Sequence, residues 1–310
     1  MAYSEPLLSR IKVIQVAVES VKGTAETTGF TAVRVLNLLI RPTAPFDSRR
    51  GPGIYLGNAN AGVLGERSGT LTCSAEVRGN GTAGMNEGLA ILLQGCGFKK
   101  TSEVYQFVSS PANHKTLTIQ VYEDGKKKVL SGAMGDVIFE GETGKKLMAN
   151  FEFSGIWSAP TDAAIPAFAP GTEPPPILAS GTFTIATVAK LISRLSLNMQ
   201  NQVTMRPDIN ASSGIAHYAI VDNEPLLSFD IEAELVATYD IHGIWLAGTE
   251  AAVSLILGSG AGKAITFTIP KLQYREIPEG EREGLLIYDV TGQCNHSSGD
   301  DAVTISVATS

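Results

Sequence analysis

The segment from Trp157 to Ser180, WSAPTDAAIPAFAPGTEPPPILAS, carries six prolines and almost no periodic pattern. Each proline fixes φ and removes a backbone donor, so the segment is excluded from a helix interior or a central strand. Pro174, Pro175 and Pro176 in succession predict an extended polyproline II arm. Segments of similar length flank it, and each reads as strands around one short helix. The predicted organisation is a first module over residues 1–157, a proline-rich linker over 158–180 and a second module over 181–310.

A chain of 310 residues that is 44% hydrophobic has length enough for two domains with their own cores. Its 32 glycines and many Thr and Val residues lean toward strands and turns, and a charged fraction of 18% argues against a disordered chain. The net charge of −7 is unevenly spread, with about +3 on residues 1–155 and −10 on residues 156–310. Such an acidic half is a poor coat for nucleic acid, because phosphate binding needs a positive surface. Cys73, Cys96 and Cys294 are too few and too scattered for a disulfide scaffold or a zinc cluster. The start lacks the pattern of a secretion signal, no stretch is long and apolar enough to cross a bilayer, and no membrane anchoring is expected. Asn210-Ala-Ser and Asn295-His-Ser read as polar turns rather than glycosylation sites.

Taken in order, residues 12–20 and 30–42 read as strands, the second ended by Pro42. Residues 43–69 form a glycine- and proline-rich excursion, with Arg49 and Arg50 beside Gly51. Its length suits an active-site lid or an arm that reaches a neighbouring subunit. Residues 70–79 alternate as a half-buried strand with Leu71, Cys73, Ala75 and Val77 inward. Met85, Leu89, Leu92 and Leu93 share one helical face within residues 83–98. Residues 102–108 read as an edge strand, and Asp124-Gly125 marks a hairpin within 115–132. Lys126, Lys127 and Lys128 read as an edge-strand flank that discourages aggregation. A further strand pair surrounds Gly144. The second half repeats the order, with residues 204–224 as a shorter excursion, 225–238 as a strand and 239–248 as the helix. The order fits a mainly β (α+β) fold, a sandwich or half-open barrel with a helix packed across it.

Chemistry is hard to place on this pattern. GSGAGKA, residues 258–264, fails as a phosphate loop, with Leu257 where the first glycine belongs and Ala264 where a Ser or Thr should follow the lysine; it reads as a hairpin turn. Asp230, Glu232 and Glu234 alternate with apolar residues, which marks a solvated or interfacial face rather than a carboxylate pair in a cleft. His114, His217, His242 and His296 are dispersed, with no HExxH pair and no GxSxG elbow. Residues 292–301, GQCNHSSGDD, read as a polar loop, and Cys73 as a small core residue. No catalytic, cofactor-binding or metal-binding residue is assigned, no cofactor is expected, and the chain is not read as an enzyme.

The segments SAEVRGNGTAGMNEGLAILLQGCGF (74–98), FEFSGIWSAPTDAAIP (151–166), residues 193–235 and the run from Leu257 to Gly284 together resemble the major tail tube proteins of long, flexible-tailed bacteriophages. The resemblance implies two tail-tube-like β modules, each flanked by a short helix, in a structural protein that polymerises as stacked rings around a lumen through which DNA passes without specific binding. A duplicated chain would form a homotrimer with pseudo-sixfold symmetry in the virion tail, assembled in the host cytoplasm, with the tape measure and terminator proteins as partners. A terminator or hub-like protein that forms one ring and stops is the main alternative. A carbohydrate-binding β-sandwich module, with an aromatic platform, is a further one. If residues 43–69 serve as an arm, shortening residues 48–66 will impair ring stacking, seen by electron microscopy, more than folding, seen by circular dichroism and Tm; equal loss of both would undermine the arm.

Overall fold

The computed structural model describes residues 6–49, 51, 60–169, 171–179 and 181–309. It is mainly β, with 54% of residues in strands and 5% helical. The first half comprises β1 (Lys12–Val18), β2 (Thr31–Val33), β3 (Val35–Thr43), β4 (Phe46–Asp47), β5 (Val63–Leu64), β6 (Ser68–Glu76), α1 (Glu87–Gly95), β7 (Phe98–Thr101), β8 (Val104–Phe107), β9 (Leu117–Glu123), β10 (Lys126–Glu142) and β11 (Met148–Asp162). The second half comprises β12 (Thr182–Ile185), β13 (Val188–Ala189), β14 (Ile192–Asn198), β15 (Asn201–Pro207), β16 (Ile215–Asn223), β17 (Leu226–Glu232), α2 (Ile241–Leu246), β18 (Glu250–Leu257), β19 (Ile265–Glu276), β20 (Glu279–Arg282), β21 (Leu285–Asn295) and β22 (Thr304–Val307).

In the first half the antiparallel pairing runs β2–β1–β9–β10–β11–β6–β3. In the second it runs β13–β12–β18–β19–β21–β17–β14. Two ladders join the halves: Ile138–Glu142 of β10 pair with Arg194–Asn198 of β14, and β22 bridges β8 to β19. The result is one branched sheet, and no pairing among the described residues closes it on itself.

The 17-residue β10 is the spine, and it must change partner along its length. Its first part lies between β9 and β11, its last part between β14 and β11. Register shifts at Leu130/Ala133 and Ser131/Met134 mark the change, and Gly132 takes φ 57° there. A buried carboxylate fixes that bend. Glu19 accepts from Gly132 N (2.7 Å), Gly23 N (2.8 Å), Thr116 Oγ1 (2.6 Å) and Thr118 Oγ1 (2.8 Å). Four donors on one buried carboxylate satisfy what burial would otherwise leave costly.

One apolar core serves both halves. It runs from Ile14, Leu71 and Phe153 to Leu227, Val253 and Ile305 without a break. Phe139 of β10 meets Phe267 of β19 edge-on at 5.1 Å, a preferred aromatic geometry. Helix α1 starts at Asn86, whose Oδ1 accepts from Leu89 N, and buries Leu89, Leu92 and Leu93. Gly95 lets its last turn approach: a Cβ there would lie 2.5 Å from Leu117 Cδ1. Helix α2 is shorter; it buries Ile241, and Trp245 Nε1 donates to Arg275 O at 3.0 Å.

Several expectations need correction. Pro160 lies within β11, which extends to Asp162; beyond Ile156 that strand pairs only with β10, and the shift between Lys127 and Val129 admits the proline. Pro42 likewise sits inside β3, which among the described residues is paired on one side only. The lysines at 126–128 are not an edge flank, since this part of β10 is paired on both sides and Lys128 forms an ion pair with Glu123. Asp230 is 1% exposed rather than solvated, and Leu235, expected on an apolar face, is 79% exposed beyond the end of β17.

The proline-rich segment is strapped to the body rather than free. Arg78 Nη1 donates to Gly171 O (2.6 Å) and Glu173 O (2.9 Å), Lys263 pairs with Glu173 (2.9 Å), and Ile177 bridges to Lys146. The turn at 258–264 packs against this region. Gly81 N donates to Gly262 O at 3.0 Å, and a Cβ on Gly262 (φ 63°) would collide with the Thr82 backbone. Gly262→Ala should therefore lower thermal stability by more than Gly260→Ala. Both have positive φ, a strain of about 1–3 kcal/mol for a non-glycine residue, but a Cβ on Gly260 meets no neighbour.

Candidate functional site

The feature with the breadth of a functional surface is the open face of the sheet. Along β10 and β11 burial alternates: Val137, Phe139, Phe151 and Phe153 point into the core, whereas Asp136, Glu140, Asn150 and Glu152 point out. Because paired residues share a face, the register extends this face across the sheet. One rung reads Ser74, Asn150, Ile138, Asn198, Leu226 and Gln293 from β6 to β21. The next reads Glu76, Met148, Glu140, Ser196, Ser228 and Thr291. The sheet curves over this face and leaves an open concavity of about 1050 Å³.

Its charges are arranged so that cations are engaged. Arg194 meets Asp289 at 2.7 Å, Arg282 meets Asp230 at 2.6 Å and also Glu232, Lys145 meets Glu142 at 2.6 Å, and Lys146 meets Glu76. Among the described residues Glu140 accepts from an uncharged donor, Asn150 Nδ2 at 2.7 Å, and meets no cation. Asp136 accepts from Asn201 N at 3.0 Å; burial pushes its carboxyl above the usual value, against that hydrogen bond. The surface is thus polar, rich in hydroxyls, and carries excess carboxylate beside neutralised cations.

Asp230 sits in the bulge between β14 and β17. Burial alone would raise its pKa, but Ser193 Oγ (2.5 Å), Ser193 N (2.7 Å), Arg194 N (2.8 Å) and Arg282 outweigh burial and hold it low. At the root of the β15–β16 hairpin, buried Asn201 donates through Nδ2 to Cys96 O (2.9 Å) and Gly135 O (3.0 Å). The hairpin then lies over the first half, where Ile215, Tyr218 and Ile220 pack with Met134 and Ile156.

The residues weighed for chemistry are not brought together. Cys73, Cys96 and Cys294 are buried, and burial raises their thiol pKa, to about 12 for Cys73 and Cys294. His114 is buried against Val108 O, His217 lies beside Arg206, and His242 packs edge-on against Tyr288 in α2. Glu232 binds Arg282, while Glu234 pairs with Lys190 at 2.7 Å. Residues 258–264 form a turn between β18 and β19, as read from the sequence. In the polar loop Asp301 accepts from Ser297 N at 2.7 Å. Asn210 lies in a turn, as read, whereas Asn295 ends β21. Arg49 is exposed; Arg50 and residues 52–59 lie outside the described residues. No group of three or more His, Cys, Asp or Glu is placed to hold a metal ion among the described residues. The residues of the open face were missed because each strand was read alone, although the alternation in 136–140 and 149–153 carried their orientation.

What the described residues present is a wide polar sheet face over a core shared by both halves. The chain matches the family described as phage tail tube protein over residues 10–294, and it belongs to that family. No curated protein matches the chain. Its role is structural and tube-forming, in the virion tail, and not enzymatic.

Asp230→Asn should destabilise the protein by about 1–3 kcal/mol at pH 7, the scale of lost hydrogen bonds to a charged group. A carboxylate with a depressed folded pKa stabilises above its ordinary value of 3.8 and loses that contribution as pH falls through the folded value. Urea unfolding should show the difference between variant and wild type shrinking below pH 3.8.

Proposed function

We propose that the chain is a duplicated tube-wall unit, and that three chains close a ring with pseudo-sixfold symmetry whose lumen is lined by the open sheet face. The observation that carries this reading is the correspondence of the two pairing orders. β1, β2, β3, β6, β9, β10 and β11 stand in the same relations as β12, β13, β14, β17, β18, β19 and β21. The β4–β5 pair and the β15–β16 hairpin occupy the same place in each order, as do α1 and α2. The modules are residues 1–157 and 181–310, with residues 158–180 as the bridge, and the β10–β14 ladder is the joint between adjacent ring positions. Two such joints per pair of modules, one within a chain and one between chains, give a six-position ring from three chains.

The open face supports the lumen assignment on electrostatic grounds. Phosphate is gripped by uncompensated cations. Arg194, Arg282, Lys145 and Lys146 are each held by carboxylates. Glu140 and Glu152 add exposed negative charge. A lumen so lined repels DNA and lets it pass without capture. Tape measure and terminator proteins are the partners this reading implies.

The test is electron microscopy of assembled protein, with mass measurement of the ring and DNA ejection from particles built with Glu140→Lys/Glu152→Lys. Trimeric rings with sixfold-like projection, and slower ejection by the double variant at low salt, are the expected outcomes. Rings of six chains, or ejection indifferent to the reversal, would overturn the stoichiometry or the lumen assignment respectively.

A further inference from the structure

The proline-rich strap covers one end of the first module. Ile177 bridges to Lys146, Leu178 N donates to Lys145 O at 2.9 Å, and Leu178 O accepts from Gly144 N at 2.9 Å. The Leu178 side chain lies beside Leu147: a Cβ on Gly141 would sit 2.7 Å from Leu178 Cδ1 and 2.9 Å from Leu147 Cδ1. Leu147, the residue before β11, is 0% exposed under this cover.

The same end of the second module lies open. Val77 N donates to Leu147 O at 3.1 Å, and in the matching place Ala233 N donates to Leu286 O at 3.0 Å. Leu286 is thus the counterpart of Leu147, and Leu285 that of Lys146. Leu285 and Leu286 are 53% and 52% exposed. Leu191, whose carbonyl accepts from Glu232 N, and Leu235 join them as exposed leucines where β14, β17 and β21 converge. Apolar side chains exposed as a cluster mark a contact surface, whereas scattered ones do not.

We propose that residues Pro6–Ser9 of another copy cover this end of the second module, as Pro176–Ala179 cover the first module within one chain. This rests on the ring reading above and names a contact separate from the strand ladders. Three observations single out that segment. Its sequence and spacing match the strap: Pro176-Ile177-Leu178 stands before β12 at the same distance as Pro6-Leu7-Leu8 stands before β1, the strand that corresponds to β12. Its course matches as well. Pro176 lies at the β18–β19 turn, where a Cβ on Gly258 would sit 3.3 Å from Pro176 Cβ, and Leu8 N donates to Asp124 Oδ2 at 2.6 Å in the corresponding β9–β10 turn. Finally, Leu7 and Leu8 are 52% and 55% exposed, so two adjacent leucines of the segment stay uncovered in the single chain. Arg10 and Glu283, both exposed, place opposite charges beside the two leucine pairs. The strap is attached to the second module and covers the first; residues 6–9 are attached to the first module and cover the second module of a neighbouring copy. Segment and receiving surface differ, so the contact is heterologous and continues from copy to copy until a ring closes. Burial of the leucines supplies the affinity.

Cysteine trapping tests it on the full chain, whose native cysteines are buried. Leu7→Cys or Leu8→Cys would be combined with Leu285→Cys or Leu286→Cys, giving four pairings, and oxidised during assembly. At least one pairing should give a non-reducing ladder of two and three chains. Mixing the two single variants of that pairing should give covalent dimers and nothing larger. Leu7→Ser/Leu8→Ser, at exposed sites, should keep the wild-type Tm while ring formation, counted by electron microscopy, drops at least tenfold. Rings that form in all four pairings without any cross-link, cross-links confined within single chains, or normal assembly of Leu7→Ser/Leu8→Ser would overturn the contact and leave the ring reading standing. Absence of rings in the wild type would overturn the ring reading itself, and this contact with it.

Discussion

The structure depends on one strand serving two neighbours. A strand has two hydrogen-bonding edges and each must be satisfied over its buried length. β10 meets that requirement by giving one edge to β11 and dividing the other between β9 and β14. The division needs a bend, the bend leaves the Gly132 amide without a ladder partner, and Glu19 reaches from the end of β1 to take it. A single carboxylate thereby ties the first strand, the loop at Gly23 and the spine at the point where the sheet passes from one half to the other. With the bend fixed, Phe139 is aimed at Phe267 and the two halves share a core instead of touching as separate domains.

That sharing explains which parts of the molecule were legible in the sequence. Local signals held wherever the structure is local: the Asp124-Gly125 turn with φ of 39° and 94°, the Gly144 turn, and the helix capped by Asn86. Signals failed where a residue answers to a distant partner. Pro42 and Pro160 read as strand breakers, yet each lies where its strand has one neighbour over that stretch among the described residues. Asp230 reads as a solvated residue by alternation, but the bulge turns it onto the amides of Ser193 and Arg194. Lys128 reads as an edge residue because nothing near it reveals that β11 pairs alongside.

The open face was written in the alternation of each strand and still could not be assembled from it. Alternation tells which residues share a side; register across six strands decides which of them form a surface. Only with the rungs aligned do Glu140, Ser196, Ser228 and Thr291 become neighbours. Their chemistry is then coherent: short hydroxyls hold no long flexible charge, and the longer cations are folded back onto acids.

The strapped proline segment has a kinetic consequence. Because the chain runs unbroken through this segment, which Arg78 and Lys263 hold against both halves, the second half stays near the first even if the β10–β14 ladder opens. Re-pairing is then a first-order event governed by an effective local concentration in the millimolar range for a short tether, independent of how dilute the protein is. In a closed ring of such chains, alternate seams would heal themselves, and only the seams between chains would ever need a partner to arrive by diffusion.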